Sequence, residues 1–364
     1  MTSEIRTPMQ GKPDRVRDQR IEEVVPLFAP AEILTDMPLT AQQEEVVLRG
    51  RSEIVEILRR DDDRLLVVVG PCSVHDPDAA LEYAQRLAAL ADELRDELCV
   101  AMRVYFEKPR TTTGWKGMIN DPHIDGSGDV NAGLHIARAF LLEVLALGLP
   151  TGSEFLDPIT PQYISDAVTW AAIGARTTES QIHRQLASGL SMPVGFKNGT
   201  AGNVGVAVDA VRAAAARHVF PGVDDSGTPA ILHTTGNEDC HLILRGGRGG
   251  PNYDADTVAA ALAALREAGL PERIMVDVSH DNSGRDHDRQ PEVVADVAGQ
   301  VAAGNGALVG VMLESFLVAG RQHAEPGGDL VYGQSITDAC IGWDATVLAM
   351  DQLAAAVRAR RSAG

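Results

Sequence analysis

Short apolar runs alternate with longer amphipathic stretches from Leu65 to the end of the chain. LLVVVGPCS is followed by a helical pattern over Pro77–Arg95, and LCVAMRVYF by a long loop and a helical pattern over Asn131–Leu147. TGSEFL precedes a helix over Pro161–Thr169, WAAIGAR one over Ser180–Ser188, and MPVGFKN one over Val204–Ala216. HLILRGG leads to Asp254–Ala268, IMVDVSH to Pro291–Ala303, and ALVGVML eventually to Trp343–Arg361. Apolar runs of this length read as strands. Eight strand–helix units in one α/β chain predict a (β/α)8 TIM barrel over an open sheet. One piece breaks the alternation. VFPGV and AILHTT, joined by Asp224-Asp225-Ser226-Gly227, predict a β-hairpin inserted over residues 218–235.

The first 63 residues carry a different pattern. Pro13, Pro26, Pro30 and Pro38 interrupt a polar segment, and only Ala41–Arg60 shows an apolar helical face, built of Val46, Val47, Ile54, Val55, Ile57 and Leu58. Too few apolar residues precede it for an independent core. Met1–Pro38 therefore reads as an arm that packs on another surface, a neighbouring subunit in this reading. The chain divides into an arm and helix over 1–63 and a catalytic barrel over 64–364.

Within the second unit, Val100–Gly117 stands out. Val100, Met102, Val104 and Phe106 alternate with Ala101, Arg103, Tyr105 and Glu107, a strand pattern with a charged residue in its middle. A buried guanidinium is expensive unless an anion meets it. Pro109 then ends the ladder, and Lys108, Arg110, Thr111 and Thr112 crowd the strand end, where guanidinium forks and hydroxyls suit phosphate and carboxylate groups.

Composition sharpens this picture. The formal net charge of −19 argues against nucleic acid or an anionic membrane surface as partner, so clustered cations become informative. The four cysteines, Cys72, Cys99, Cys240 and Cys340, have no CxxC spacing, and no apolar run reaches the ~18 residues of a spanning helix. A soluble cytoplasmic protein is expected.

In a barrel of this kind the active site forms where strands end. Those positions hold Cys72, Arg103, Lys108–Thr112, Glu154, Arg176, Lys197, Arg245, His280 and Glu314, with Asp338 in the last long loop. They sort into two sets. Cys72, His280, Glu314 and Asp338 offer a thiolate, an imidazole and two carboxylates, a mixed set suited to a divalent first-row metal. Arg103, Lys108, Arg110, Arg176, Lys197 and Arg245 imply a heavily anionic ligand load such as two phosphorylated substrates.

The motifs GPCSVHDP (Gly70–Pro77), RVYFEKPRTTTGWKG (Arg103–Gly117), GARTTESQ (Gly174–Gln181), GFKNGT (Gly195–Thr200), ILRGG (Ile243–Gly247), DVSHDNS (Asp277–Ser283), GVMLES (Gly310–Ser315) and SITDACIGW (Ser335–Trp343) resemble those of the type I 3-deoxy-D-arabino-heptulosonate-7-phosphate (DAHP) synthases, in the aromatic-amino-acid-regulated subfamily. The resemblance spans roughly residues 64–358, and that family has a (β/α)8 barrel with an N-terminal arm and an inserted hairpin. The related octulosonate 8-phosphate synthases usually carry Lys–Ala–Asn–Arg where this chain has Lys108-Pro109-Arg110-Thr111-Thr112. A silent homologue kept as a sensor should have lost a ligand or cation, and none of the residues above is missing. Two departures are Phe316-Leu317, where many relatives have His–Leu, and the hairpin tip.

The resemblance implies condensation of phosphoenolpyruvate with erythrose 4-phosphate, the first step of the shikimate pathway. It would assign one divalent metal ion to Cys72, His280, Glu314 and Asp338, with Mn²⁺ favoured and Fe²⁺, Co²⁺ or Zn²⁺ as alternatives. Arg176, Arg245 and the backbone at Ala175 would take the phosphoenolpyruvate phosphate, and Arg103 and Lys197 its carboxylate. Arg110 and Thr111 would hold the aldose phosphate, Lys108 would lie between the substrates, and Glu154 would complete the site. Lys108 or a metal-held water would transfer the proton. It also implies a homodimer or homotetramer with a pocket for an aromatic amino acid effector. Its wall would be Pro161, Gln162, Gly189, Leu190, Ser191, Phe220, Gly222 and Leu232, with Asp18 of another subunit on the amino group. Relatives that sense phenylalanine tend to have serine at the position of Gly222, so the expected effector is tyrosine.

Overall fold

The computed structural model describes residues 16–112, 114–324 and 328–363. Its organising element is a closed ring of parallel strands: β1 (Leu65–Gly70), β2 (Leu98–Arg103), β3 (Thr151–Glu154), β4 (Trp170–Ile173), β5 (Val194–Lys197), β8 (His241–Leu244), β9 (Ile274–Asp277) and β10 (Leu308–Glu314). Each is buried along its whole length, which explains the continuous apolar runs. The hairpin is β6 (Val219–Val223) with β7 (Pro229–His233), paired antiparallel, as the turn at residues 224–227 predicts. A short pairing of β11 (Val318–Arg321) with β12 (Gln334–Ser335) was not expected.

Alternation along the strands sorts side chains into two cores. Leu65, Val67 and Val69 of β1 join the shell beneath the outer helices, while Leu66 and Val68 point inward with Ala101, Tyr105, Trp170, Ile243, Met275 and Met312. The inner core also contains Ile54, Ile57 and Leu58 of the helix Ala41–Arg59. That helix closes the barrel at the N-terminal ends of its strands. Gly50 allows the approach, since a Cβ there would lie 2.5 Å from Thr169 Cγ2 and 3.2 Å from Pro150, the residues just before β4 and β3. Thr40 accepts from Gln43 N at the start of the helix, and Arg60 ends it at φ +66°.

Three expectations are corrected. The strand read through Glu107 stops at Arg103, because four-residue β3 pairs only with Met102 and Arg103 and no neighbour extends the ladder. Arg103 is therefore a strand-end residue. The helix expected over Pro161–Thr169 is a single turn, Pro161–Ile164, followed by a 3-10 turn to Ala167, and Trp170 already opens β4. The arm does not lie wholly on a neighbour either. An additional helix, Pro30–Asp36, packs on its own chain, with Ala31 N donating to Asp225 O at 2.8 Å on the hairpin tip and Tyr163 OH to Phe28 O at 2.7 Å. Residues 1–15 of the expected arm lie outside the described residues.

Candidate active site

The C-terminal ends of the strands enclose a cavity of about 210 Å³. Arg103, Lys108, Arg110, Thr111, Glu154, Ala175, Arg176, Lys197, Arg245, His280 and Asp338 all line it. Cys72 and Glu314 lie just beneath, both buried.

Ligand atoms of Cys72, Glu314 and Asp338 fall within 4.8 Å of one another, with Cys72 Sγ 3.7 Å from Asp338 Oδ2. His280 Nε2 stands 3.6 Å from Glu314 Oε1. Its other ring nitrogen, Nδ1, is 2.8 Å from Asp277 Oδ2, a bond that turns Nε2 toward Glu314. One sulfur, one imidazole nitrogen and two carboxylates thus converge, with Cys72 and Glu314 buried, His280 half-buried and Asp338 exposed at the mouth, and this set fits a divalent first-row metal. Lys108 Nζ, 3.0 Å from Cys72 Sγ, and Arg103 Nη2, 2.9 Å from Glu314 Oε1, share the same donors. Burial and the Glu314 charge push the Cys72 thiol up to about 11, against Lys108. Burial would also raise Asp338, but Lys108, His280 and Arg285 outweigh it and hold that carboxyl at about 2.

Around these donors the cations are buried on anions. The Arg103 side chain, 1% exposed, also donates to Pro71 O and Cys72 O and stacks 3.6 Å from the Tyr105 ring centroid. Lys197 Nζ is 2.8 Å from Asp277 Oδ2. Asp277 thus bridges Lys197 and His280. Burial alone would raise its pKa, but those two neighbours hold it well below the carboxylate range. Burial would lower the Lys108 ammonium, yet the Cys72 and Glu314 charges lift it to about 12. Arg176 Nε donates to Thr111 Oγ1 at 3.1 Å, and both side chains are exposed at the rim with Arg110. Among the buried polar atoms with no partner among the described residues are Glu154 Oε1 and Arg245 Nε. Both residues line the cavity.

Sequence reasoning missed Asp277, Asp281, Arg285 and Glu107. A signal for Asp277 existed, since Lys197 in a buried strand demands a carboxylate and IMVDVSH supplies one at another strand end. Glu107 has no such signal. It is 2% exposed and accepts from Thr160 Oγ1 at 2.9 Å and Asp157 N at 3.2 Å, joining the loop after β2 to the loop after β3.

The effector residues are only partly brought together. Phe220 and Leu232 are cross-strand partners, and with Gly222 they occupy the half-buried face of the hairpin, opposite exposed Val219 and Ile231. Gly189 lies against Thr234 at the hairpin base. Pro161 is buried and Gln162 half-buried at the start of the short helix. Leu190 and Ser191 line a different groove, beside Arg51 and Ser52 of the floor helix. Asp18, at φ +57°, accepts from Arg17 Nε at 3.1 Å.

The sequence and the fold have clear relatives. The phospho-2-dehydro-3-deoxyheptonate aldolase, Phe-sensitive, of Escherichia coli K12 is 57% identical over 94% of this chain and 98% of its own length. The Tyr-sensitive enzyme of that organism is 52% identical over 92% and 94%. A solved structure of phospho-2-dehydro-3-deoxyheptonate aldolase from Francisella tularensis SCHU S4 superposes with a TM-score of 0.91 at 48% identity, covering 94% of this chain and 99% of that one. The profile of the DAHP synthetase I family matches residues 36–351, and the chain belongs to that family.

Proposed function

We infer that this chain is a phospho-2-dehydro-3-deoxyheptonate aldolase, a transferase that joins phosphoenolpyruvate to erythrose 4-phosphate and releases phosphate. The observation that carries the reading is the convergence of Cys72, His280, Glu314 and Asp338 beside buried Arg103, Lys108, Lys197 and Arg245. Two polyanions repel each other in water, so fixed cations supply both neutralisation and orientation. Arg176, Arg245 and the Ala175 backbone would take the enol phosphate, Arg103 and Lys197 the adjoining carboxylate, and Arg110 and Thr111 the aldose phosphate. C3 of the enol then attacks the aldehyde carbon, and Lys108 Nζ is our candidate to give its proton to the aldehyde oxygen. Water adds at C2 and phosphate leaves by C–O cleavage. When bound by Cys72, His280, Glu314 and Asp338, a divalent metal supplies Lewis-acid polarisation of the aldehyde.

Phosphoenolpyruvate consumption with erythrose 4-phosphate tests this directly. Turnover is expected to vanish after chelation and to return with Mn²⁺, Fe²⁺ or Co²⁺. Full activity of metal-free His280→Ala would refute the metal assignment. We further propose tyrosine as a feedback effector at the hairpin. Initial rates with each aromatic amino acid at millimolar concentration decide between effectors.

A further inference from the structure

Arg285 closes the turn that follows His280. Gly284 and Arg285 both lie at φ +64°, and Arg285 N donates to His280 O at 2.6 Å, which folds the segment back over the mouth. A positive φ is uncommon for a side-chain-bearing residue. Here it brings Arg285 to the wall of the cavity lined by Arg103, Lys108 and Arg245. Its Nε is 2.8 Å from Asp281 Oδ1, and the other oxygen of that carboxylate holds Arg245 Nη1. One carboxylate therefore bridges two guanidinium groups, leaving a net positive charge.

The bridge leaves donors over. Among the described residues the Arg285 side chain bonds only through Nε, and Arg245 Nε is buried with no partner. An ion pair that served only to fasten the loop would contribute little, since the Arg285 side chain is 56% exposed. Two guanidinium groups oriented by a shared carboxylate suit the several oxygens of a phosphate monoester.

We propose that Arg285 is a further substrate-binding cation, clamping with Arg245 the phosphate of phosphoenolpyruvate, and that Asp281 is the positioning residue for both. This rests on the reading of the mouth as a site for two phosphorylated substrates. Arg285→Gln should raise the phosphoenolpyruvate KM, and its Kd by calorimetry on the metal-loaded enzyme, about 10- to 100-fold, the range for losing a charged hydrogen bond. The erythrose 4-phosphate KM should hold steady, and Arg285→Lys should recover part of the loss. Asp281→Asn should raise the same KM although it touches no substrate. A rise confined to the erythrose 4-phosphate KM overturns the pairing with Arg245. Unchanged KM and Kd values, with only a lowered Tm, overturn the proposal in favour of a structural tie. Wild-type protein that binds phosphoenolpyruvate without condensing it refutes the parent activity instead, and the calorimetry then judges the clamp alone.

Discussion

The floor and the mouth of the barrel are built on the same strands and are equally dry, yet they hold opposite chemistry. At the floor, Ile54, Ile57, Leu58 and Trp170 are at most 3% exposed and belong to one apolar cluster, from which Trp170 Nε1 donates to His241 Nε2. At the mouth, Arg103, Lys197, Asp277 and Glu314 are also at most 3% exposed, and every one is charged and paired. Apolar burial contributes roughly 25 cal/mol per Å², whereas a buried ion pair often does no better than a hydrophobic replacement of the same volume. The floor can therefore be understood from stability alone. The mouth cannot, and its charges make sense as a preorganised receptor for anions and a metal.

The sharpest way to break this contrast is Lys197→Met. It leaves Asp277, fully buried, without its lysine and held by His280 and by the backbone N–H and hydroxyl of Ser279. We expect kcat/KM to fall more than about 1,000-fold and stability to drop by roughly 3–5 kcal/mol, the range for removing one partner of a buried pair. Urea melts beside steady-state rates would read both, and a variant that keeps wild-type turnover would end the receptor interpretation.

Floor substitutions should separate the two quantities. Ile54→Ala and Leu58→Ala should each cost about 2–5 kcal/mol in urea while leaving the rate per folded molecule unchanged. A matching loss of kcat in the folded protein would mean that the floor helix also tunes the mouth.

Glu107 sharpens the comparison from the mouth side, being a buried carboxyl that pairs with no cation among the described residues. Burial, opposed by the Thr160 hydroxyl and assisted by the Asp157 charge, raises it from 4.5 to about 7. Between those values the folded protein keeps a proton that the unfolded chain has released, so stability falls as pH rises from about 4.5 to 7 and then levels. The loss should be about 3 kcal/mol. Glu107→Gln should flatten that segment of a pH series of thermal melts, and an unchanged slope would show that another group carries it.

The smallest effect is expected at the hairpin, where neither apolar burial nor charge is complete. A Cβ at Gly222 would lie 2.5 Å from Leu232 Cδ1 and 2.9 Å from its Cγ, and this half-buried side chain on the hairpin can shift away. Gly222→Ser should therefore cost no more than about 1 kcal/mol and move inhibition from tyrosine toward phenylalanine. Inhibition by phenylalanine alone in the unmodified protein would refute tyrosine as effector, and no response to any aromatic amino acid would refute the site.

Much of the mouth was legible because a charged or soft residue stands at, or within three positions of, the end of each barrel strand. Cys72, Lys197, His280 and Glu314 announce themselves in that way. Arg285 and Asp281 do not, since they lie in a loop where charge is ordinary and only the left-handed turn returns Arg285 to the cavity wall beside Asp281. The effector residues were legible as a motif but not as a place. Leu190 and Ser191 turn toward the floor helix, whereas Phe220 and Leu232 stay on the hairpin.

By itself the sequence determined the eight strand–helix units, the hairpin and the converging ligand set, because short apolar runs alternating with helical patterns mark the strands and the direction of a parallel barrel leaves their ends on one face. Tertiary structure alone decided which charges meet. Arg103 finds Glu314 across 211 positions, Lys197 finds Asp277 across 80, and Ile54 enters a barrel whose strands begin after it in the chain. Pairing of that kind depends on ring closure and register, and no local pattern of residues encodes it.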